Sequence, residues 1–295
     1  MISQLRPSDA VFLANTARLN KRIESASRQI NSGKRLQTVS DDPDQIGTLF
    51  ATRSQIGRLE QIGRNLTQVK TEVDTAEGAL QAGVKLMDRA ASLAAQGASS
   101  FAGGASRTVL ANEIDSILDG MLGLTQATAQ GRFIFAGDSD QTQPYASVTS
   151  GYAGSAATRA AIHPNGTTFA IAKSAEEIWS SADPERNVFQ SLTAIRDALR
   201  ANDDAAISAA QPKLRAATDH LNEQLAFYGT AQGRVAEATT LAQTETTRLR
   251  VQLSSIEDTD LLTASLELST ASRDYQAALQ ARAKSDRGSL FDYLG

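Results

Sequence analysis

Apolar and small residues recur every three or four positions along most of the chain. Phe12, Thr16, Leu19, Ile23, Ala26 and Ile30 make one such stripe, with polar residues between them. The spacing predicts an amphipathic helix with a heptad seam. Leu59, Ile62, Leu66, Val69, Val73, Ala76, Leu80, Gly83, Met87, Ala90 and Ala94 keep the same rhythm without a break. A helix over about 44–98 is predicted, roughly 80 Å long at 1.5 Å per residue. "GASSFAGGAS" ends it with glycines and serines. Leu110, Ile114, Ile117, Met121, Leu124 and Thr128 then predict a helix folded back beside it.

Periodicity returns near residue 188, where "NVFQSLTAIRDALRANDDAA" reads as one amphipathic helix with a polar end. A long seam starts at Leu214 and runs through Leu221, Leu225, Tyr228, Val235, Ala242, Leu249, Leu253 and Ile256. After "EDTD" a last helix is predicted over about 260–285. Between about 131 and 187 the texture differs. "TRAAIHPNGTTFAI" places Asn165-Gly166 between apolar stretches, the composition of a tight β-hairpin turn, and "IWSSADPERN" reads as a loop. Five of the six prolines are expected outside the long heptad helices, with Pro43 at a helix start.

The expected fold is mainly α. Both chain ends build a long antiparallel heptad-helix rod, and a small β-containing domain is inserted in the middle. The expected divisions are 1–43 for a terminal helix and spoke, 44–130 and 188–256 for the two halves of the rod, 131–187 for the middle domain, and 257–295 for the second terminal helix. Such a rod cannot cover every apolar stripe by itself. The remainder, including the terminal "SLFDYLG", points to a partner or a polymer.

Composition narrows the function. The 295 residues carry a formal net charge of −4, too balanced for a nucleic-acid binder. Aromatic residues are 5% of the chain, which favours slender helices over a thick core. No apolar run is long enough to insert in a membrane. The start, "MISQLRPSDAVFLANTARLN", is not expected to act as a cleavable signal peptide. Cysteine is absent, which removes disulfides and thiol chemistry. His163 and His220 stand far apart, and neither an HExxH nor a GxSxG motif occurs. No catalytic set, cofactor site or metal site is expected, and the lone Trp179 reads as packing for the middle domain.

"NSGKRLQTVSDDPD", residues 31–44, mixes two cations, three carboxylates, a glycine and a proline between two helical patterns. A Walker loop fails there, because Arg28 stands where a glycine is needed and Arg35 where Ser or Thr is needed. A calcium loop fails for want of a central glycine and a distal glutamate. The stretch fits a hinge: Gly33 ends one helix, Asp42 caps the next, Pro43 takes its first position and Asp44 adds charge at its positive end. Lys34 and Arg35 lie near the negative end of the first helix.

That stretch and "SSIEDTDLLTASLELSTASRDYQAALQARAKSDRGSLFDYLG" at 254–295 resemble the two terminal signatures of the flagellin superfamily, in the right order. The likeness covers roughly residues 1–100 and 215–295. "GRFIFAGDSDQTQPY" at 131–145 and "LTAIRDALRANDDAAI" at 192–207 resemble more loosely the members that join hook to filament. The resemblance implies a structural subunit of the bacterial flagellum at the hook–filament junction, extracellular after type III export, with a short bulk filament subunit as the alternative. It implies as partners other copies in a ring, flagellin, a hook-side junction protein and an export chaperone. By the same resemblance Phe12, Leu19, Ile23, Ile30, Leu266, Tyr275, Leu279, Leu290, Phe291 and Leu294 make inner-tube contacts between subunits. Ser40, Asp41, Asp42 and Pro43, with Gly33, Lys34 and Arg35, form the spoke or hinge. "MDRAASLAAQ" at 87–96 keeps Arg89, Leu93 and Gln96 of a face that an innate receptor reads in flagellins, but Ser92 replaces its glutamate. Receptor recognition is therefore not carried over.

Overall fold

The computed structural model describes residues 7–38, 41–99 and 103–285. Their elements, in chain order, are α1 (Pro7–Ser32), α2 (Pro43–Gly97), α3 (Gly104–Thr125), β1 (Thr128–Ala129), β2 (Arg132–Phe133), β3 (Ala160–Ile162), β4 (Thr168–Ala170), α4 (Ala175–Trp179), α5 (Val188–Ala201), α6 (Asp204–Glu257) and α7 (Leu261–Ser285). The fold is mainly α, with a small strand-containing stretch in the middle. Among the described residues no helix is long and apolar enough to cross a membrane. The chain divides into two compact units, one of residues 1–58 with 246–295 and one of residues 59–245.

In the larger unit the helices pair as the seams require. Arg89 meets Glu113, and Arg107 Nε donates to the Gly97 carbonyl at 2.9 Å. These partners step apart symmetrically from the end of α2 and the start of α3, so the two helices are antiparallel. Gln232 donates to Asp74 at 2.8 Å and Gln211 to the Ala94 carbonyl at 3.5 Å, so α6 runs antiparallel to α2 as well. Leu66, Leu80, Met87, Ile114, Met121, Leu192, Leu214 and Leu221 are buried in one continuous core with the middle segment. Arg107 is itself buried and reaches Asn202 Oδ1 at 2.9 Å and the Asp204 carboxylate. One guanidinium thus ties the α2–α3 turn to the α5–α6 turn. Asn202 takes the left-handed conformation (φ 53°) that separates α5 from α6.

Two expectations are corrected here. The seam read from Leu214 belongs to a helix that begins at Asp204, so Pro212 lies inside α6 rather than outside it. Proline removes one backbone hydrogen bond and crowds the preceding turn. The carbonyl that loses its partner is on Ser208, an exposed residue, where water can replace it. Ile207, Ala210 and Leu214 remain buried on the other face and hold the helix through the defect. The second correction concerns residues 163–167. Asn165 does not share the positive φ of Gly166 (90°), as a tight two-residue turn would need. Pro164 starts the turn instead, Gly166 N–H donates to the His163 carbonyl at 2.8 Å, and the loop spans five residues. The true two-residue turn is Gln130-Gly131, both at positive φ, between β1 and β2.

"IWSSADPERN" starts in helix, because Ser174 caps α4 through Glu177 N–H at 3.2 Å. That short helix delivers Trp179 to the core. Its ring meets Phe135 edge-on at 4.7 Å, and its N–H donates to Met121 Sδ at 3.3 Å.

Candidate assembly surface

The smaller unit is built by the two ends of the chain. α1 and α7 lie antiparallel, with Arg22 donating to Glu267 at 2.7 Å and Arg282 paired with Asp9. The fully buried positions of this pair are small residues, Thr16, Ala26, Ala264 and Ala271. Small side chains let the helices approach but bury little apolar area. Several of the large ones face out. Val11 and Leu13 on α1 and Leu261, Leu262 and Leu266 on α7 are all more than half exposed, Leu262 at 80%. Phe50 on α2 and Val251 on α6 are exposed in the same unit. Isolated surface leucines need no explanation, but Leu262 and Leu266 share one face of one helix.

The residues expected to pack subunits take different positions. Leu266 and Leu279 are exposed, while Phe12, Leu19, Ile23, Ile30 and Tyr275 are half-buried. The guanidinium of Arg282 sits 5.8 Å from the Phe12 ring. Leu290, Phe291 and Leu294 lie outside the described residues.

The charged stretch closes α1 and opens α2. Gly33 takes φ 70° and donates to the Gln29 carbonyl at 2.8 Å, a left-handed cap that any side chain would strain. At the far end Asp42 precedes α2, and its carbonyl accepts Ile46 N–H at 3.1 Å. Pro43 takes the first helical position, where its missing N–H costs nothing. Asp41 accepts Thr38 N–H at 2.7 Å and Gln37 N–H at 2.9 Å, and these bonds hold its carboxyl below the ordinary aspartate range. Ser40 lies outside the described residues.

Lys34 and Arg35 follow α1 by two and three residues, yet they serve the end of α6. Gly33 and Arg35 bracket it: Thr259 N–H donates to the Gly33 carbonyl at 3.0 Å, and Arg35 N–H donates to the Glu257 carbonyl at 2.7 Å. Lys34 pairs with Asp258 in a single antiparallel bridge. The Arg35 guanidinium donates to the Ile256 carbonyl at 3.0 Å and to Gln45 at 3.1 Å, satisfying groups that a helix end leaves open.

Glu257 stands at the centre of this clamp. Its side chain is 4% exposed and is shared by Lys34 and by Arg53, whose nitrogen lies 2.7 Å away. Burial alone would raise its carboxyl. The hydrogen bonds and charges of Lys34 and Arg53 outweigh that and hold it below the ordinary glutamate range. Asp260, exposed beyond it, caps α7 through Leu262 N–H at 2.9 Å and the Thr263 hydroxyl at 2.8 Å. Glu257, Arg53 and Asp260 were not among the residues expected at the hinge. The signal for them was charge complementarity between the cations at 34, 35 and 53 and the acidic cluster at 257, 258 and 260.

A pH dependence follows. Because the folded carboxyl titrates below its unfolded counterpart, the contribution of Glu257 is fully present above the ordinary glutamate range and is lost progressively as pH falls from there through the lowered folded value. Lys34 and Arg53 are each more than two-fifths exposed and can turn to water. The expected loss for Glu257→Gln at neutral pH is therefore about 1–2 kcal/mol rather than the ~3–5 of a fully buried pair. Thermal melts at neutral pH and at about pH 3.5 check this, since the gap between the two proteins should narrow in acid.

The two terminal helices pair in one unit, with their fully buried positions held by small residues and several large apolar ones left exposed. The family comparisons agree with a helical subunit of that kind. Residues 8–140 match the bacterial flagellin N-terminal helical region, and residues 212–294 match the bacterial flagellin C-terminal helical region. The chain belongs to the flagellin family. No curated protein gives a match. Among solved structures the chain is similar to FlgL of Bacillus cereus, with 22% identity, a TM-score of 0.60, and coverage of 69% of this chain and 99% of that one. A putative flagellar hook-associated protein from Vibrio parahaemolyticus gives 17% identity and a TM-score of 0.65, over 74% of this chain and 100% of that one. Flagellar hook associated protein-3 of Legionella pneumophila gives 11% and 0.63, over 70% and 98%. At these identities the likeness is one of fold.

Proposed function

We propose that this protein is the structural subunit that joins hook to filament in the bacterial flagellum, outside the cell. The observation that carries the reading is the α1–α7 pair, which buries its small residues and displays Leu262 and Leu266. Within the flagellin family such a surface is completed by further copies of the chain, and the fold is shared with hook-associated proteins along nearly their whole length. Flagellin on one side and a hook-side junction protein on the other are the remaining partners. Delivery is through the flagellar export channel with a dedicated chaperone. The residues 33–45 clamp is the spoke that sets how the terminal helices meet their neighbours.

Deletion of the gene should leave hooks without filaments and shed flagellin into the medium. Cells that still grow filaments of normal length would overturn the proposal. If the chain is instead a short bulk flagellin, it should dominate purified filaments by mass.

A further inference from the structure

The β3–β4 hairpin carries an Asn-Gly pair at its turn. We infer that Asn165-Gly166 is a self-modification site, at which the asparagine side chain closes onto the next backbone nitrogen and converts to aspartyl and isoaspartyl forms. No other asparagine in the chain precedes a glycine. In the first step Gly166 N gives its proton to solvent base and bonds to Asn165 Cγ. The Cγ–Nδ2 bond then breaks, ammonia leaves with that proton's equivalent, and a succinimide remains. Water opens the ring at either carbonyl. Water is the only reagent consumed, and no electrons change hands.

Three features of the turn favour the step. Residues 165–168 are exposed, and Gly166 has no side chain to obstruct ring closure at φ 90°. Asn165 Oδ1 accepts two hydrogen bonds, from Thr167 N–H at 3.0 Å and from the Thr167 hydroxyl at 2.7 Å. Both donors point at the oxygen that gains negative charge as the nitrogen adds, which is the arrangement that stabilises a tetrahedral intermediate. One feature opposes it: Gly166 N–H is held by the His163 carbonyl at 2.8 Å. That bond must open first. It closes the tip of a two-stranded ribbon of three residue pairs, where local opening costs little.

The product alters its surroundings. Asn165 lines a polar recess with His163, Phe169, Arg234 and Glu237. A carboxylate at position 165 adds negative charge to a recess that Arg234 also lines, and the isoaspartyl form adds a methylene to the backbone between the His163–Gly166 and His163–Thr167 bonds. The inference stands on the hairpin alone and is independent of the assembly reading.

Trypsin cutting after Arg159 and Lys173 releases Ala160–Lys173, in which Asn165 is the sole asparagine. The folded protein, incubated at mildly alkaline pH in heavy-oxygen water, should show this peptide gaining the amide-to-acid mass increment with one heavy oxygen. It should do so several-fold faster than peptides holding Asn31 or Asn202, and an isoaspartyl product should separate chromatographically. Thr167→Val keeps the branched shape and removes the hydroxyl donor, so conversion should slow. An unmodified Ala160–Lys173 peptide once the other asparagines have begun to convert would overturn the inference. Unchanged or faster conversion in Thr167→Val would overturn the role given to the hydroxyl.

Discussion

Aspartate in place of both Leu262 and Leu266 abolishes incorporation of the chain into flagella and leaves the free subunit folded. Both leucines are largely in water before assembly, at 80% and 63% exposed. Exchanging them there moves stability by no more than about 0.5 kcal/mol. An acid at 262 even sits well in the first turn of α7, at the positive end of the helix. Once neighbours cover this face, each leucine contributes about 1.5–3 kcal/mol by leaving water, and a carboxylate in its place must be buried without a partner. The loss repeats at every subunit contact. Circular dichroism of the free chain should be unchanged, and electron microscopy should show no incorporated subunit. Normal incorporation would remove α7 from the assembly surface.

Trp179→Ala lowers the stability of the 59–245 unit by about 3–5 kcal/mol. The side chain is fully buried, edge-on to Phe135, with its N–H on Met121 sulfur. Its removal opens a cavity where the middle segment meets α3, and it forfeits an aromatic pair worth about 0.5–1.5 kcal/mol. Trp179→Phe fills part of the space and should lose less. The chain has one tryptophan, so urea unfolding of the parent can be followed by its fluorescence and that of the variants by circular dichroism. A change in midpoint near zero would contradict the packing described.

The long helices were legible because their signal is local and repeated. The predicted 44–98 helix is Pro43–Gly97, and the predicted 260–285 helix is Leu261–Ser285. Pro43 and Gly33 announced their caps by residue type alone. The start of α6 was hidden because Pro212 outweighed the weak apolar pattern of Asp204–Pro212, and long-range packing of Ile207 and Ala210 overrode it. The hairpin at 160–170 was visible as Asn-Gly, but its turn type was set by Pro164 two residues from the glycine. The clamp was half legible. Both of its charged stretches could be quoted from the sequence, but their pairing spans more than two hundred residues and no local spacing reports it. The surface has the same character. A heptad seam marks which positions are apolar, and only the α1–α7 packing shows that alanines and a threonine take the fully buried places while Leu262 and Leu266 stay out.

The clamp and the surface belong to one mechanism. Arg35 and Glu257 join the end of α1 to the end of α6 before any neighbour arrives, so part of the ordering cost of the terminal helices is met within the subunit. On the proposed assembly, the displayed leucines then gain their burial from other copies.

The central claim concerns place as well as fold. Quantitative mass spectrometry of purified hook–filament assemblies, with filaments sheared to different lengths, measures it most directly. A junction subunit is present in a small copy number per hook that stays constant as flagellin mass falls. Copies that fall in proportion to filament length would make the chain a filament subunit and contradict the account.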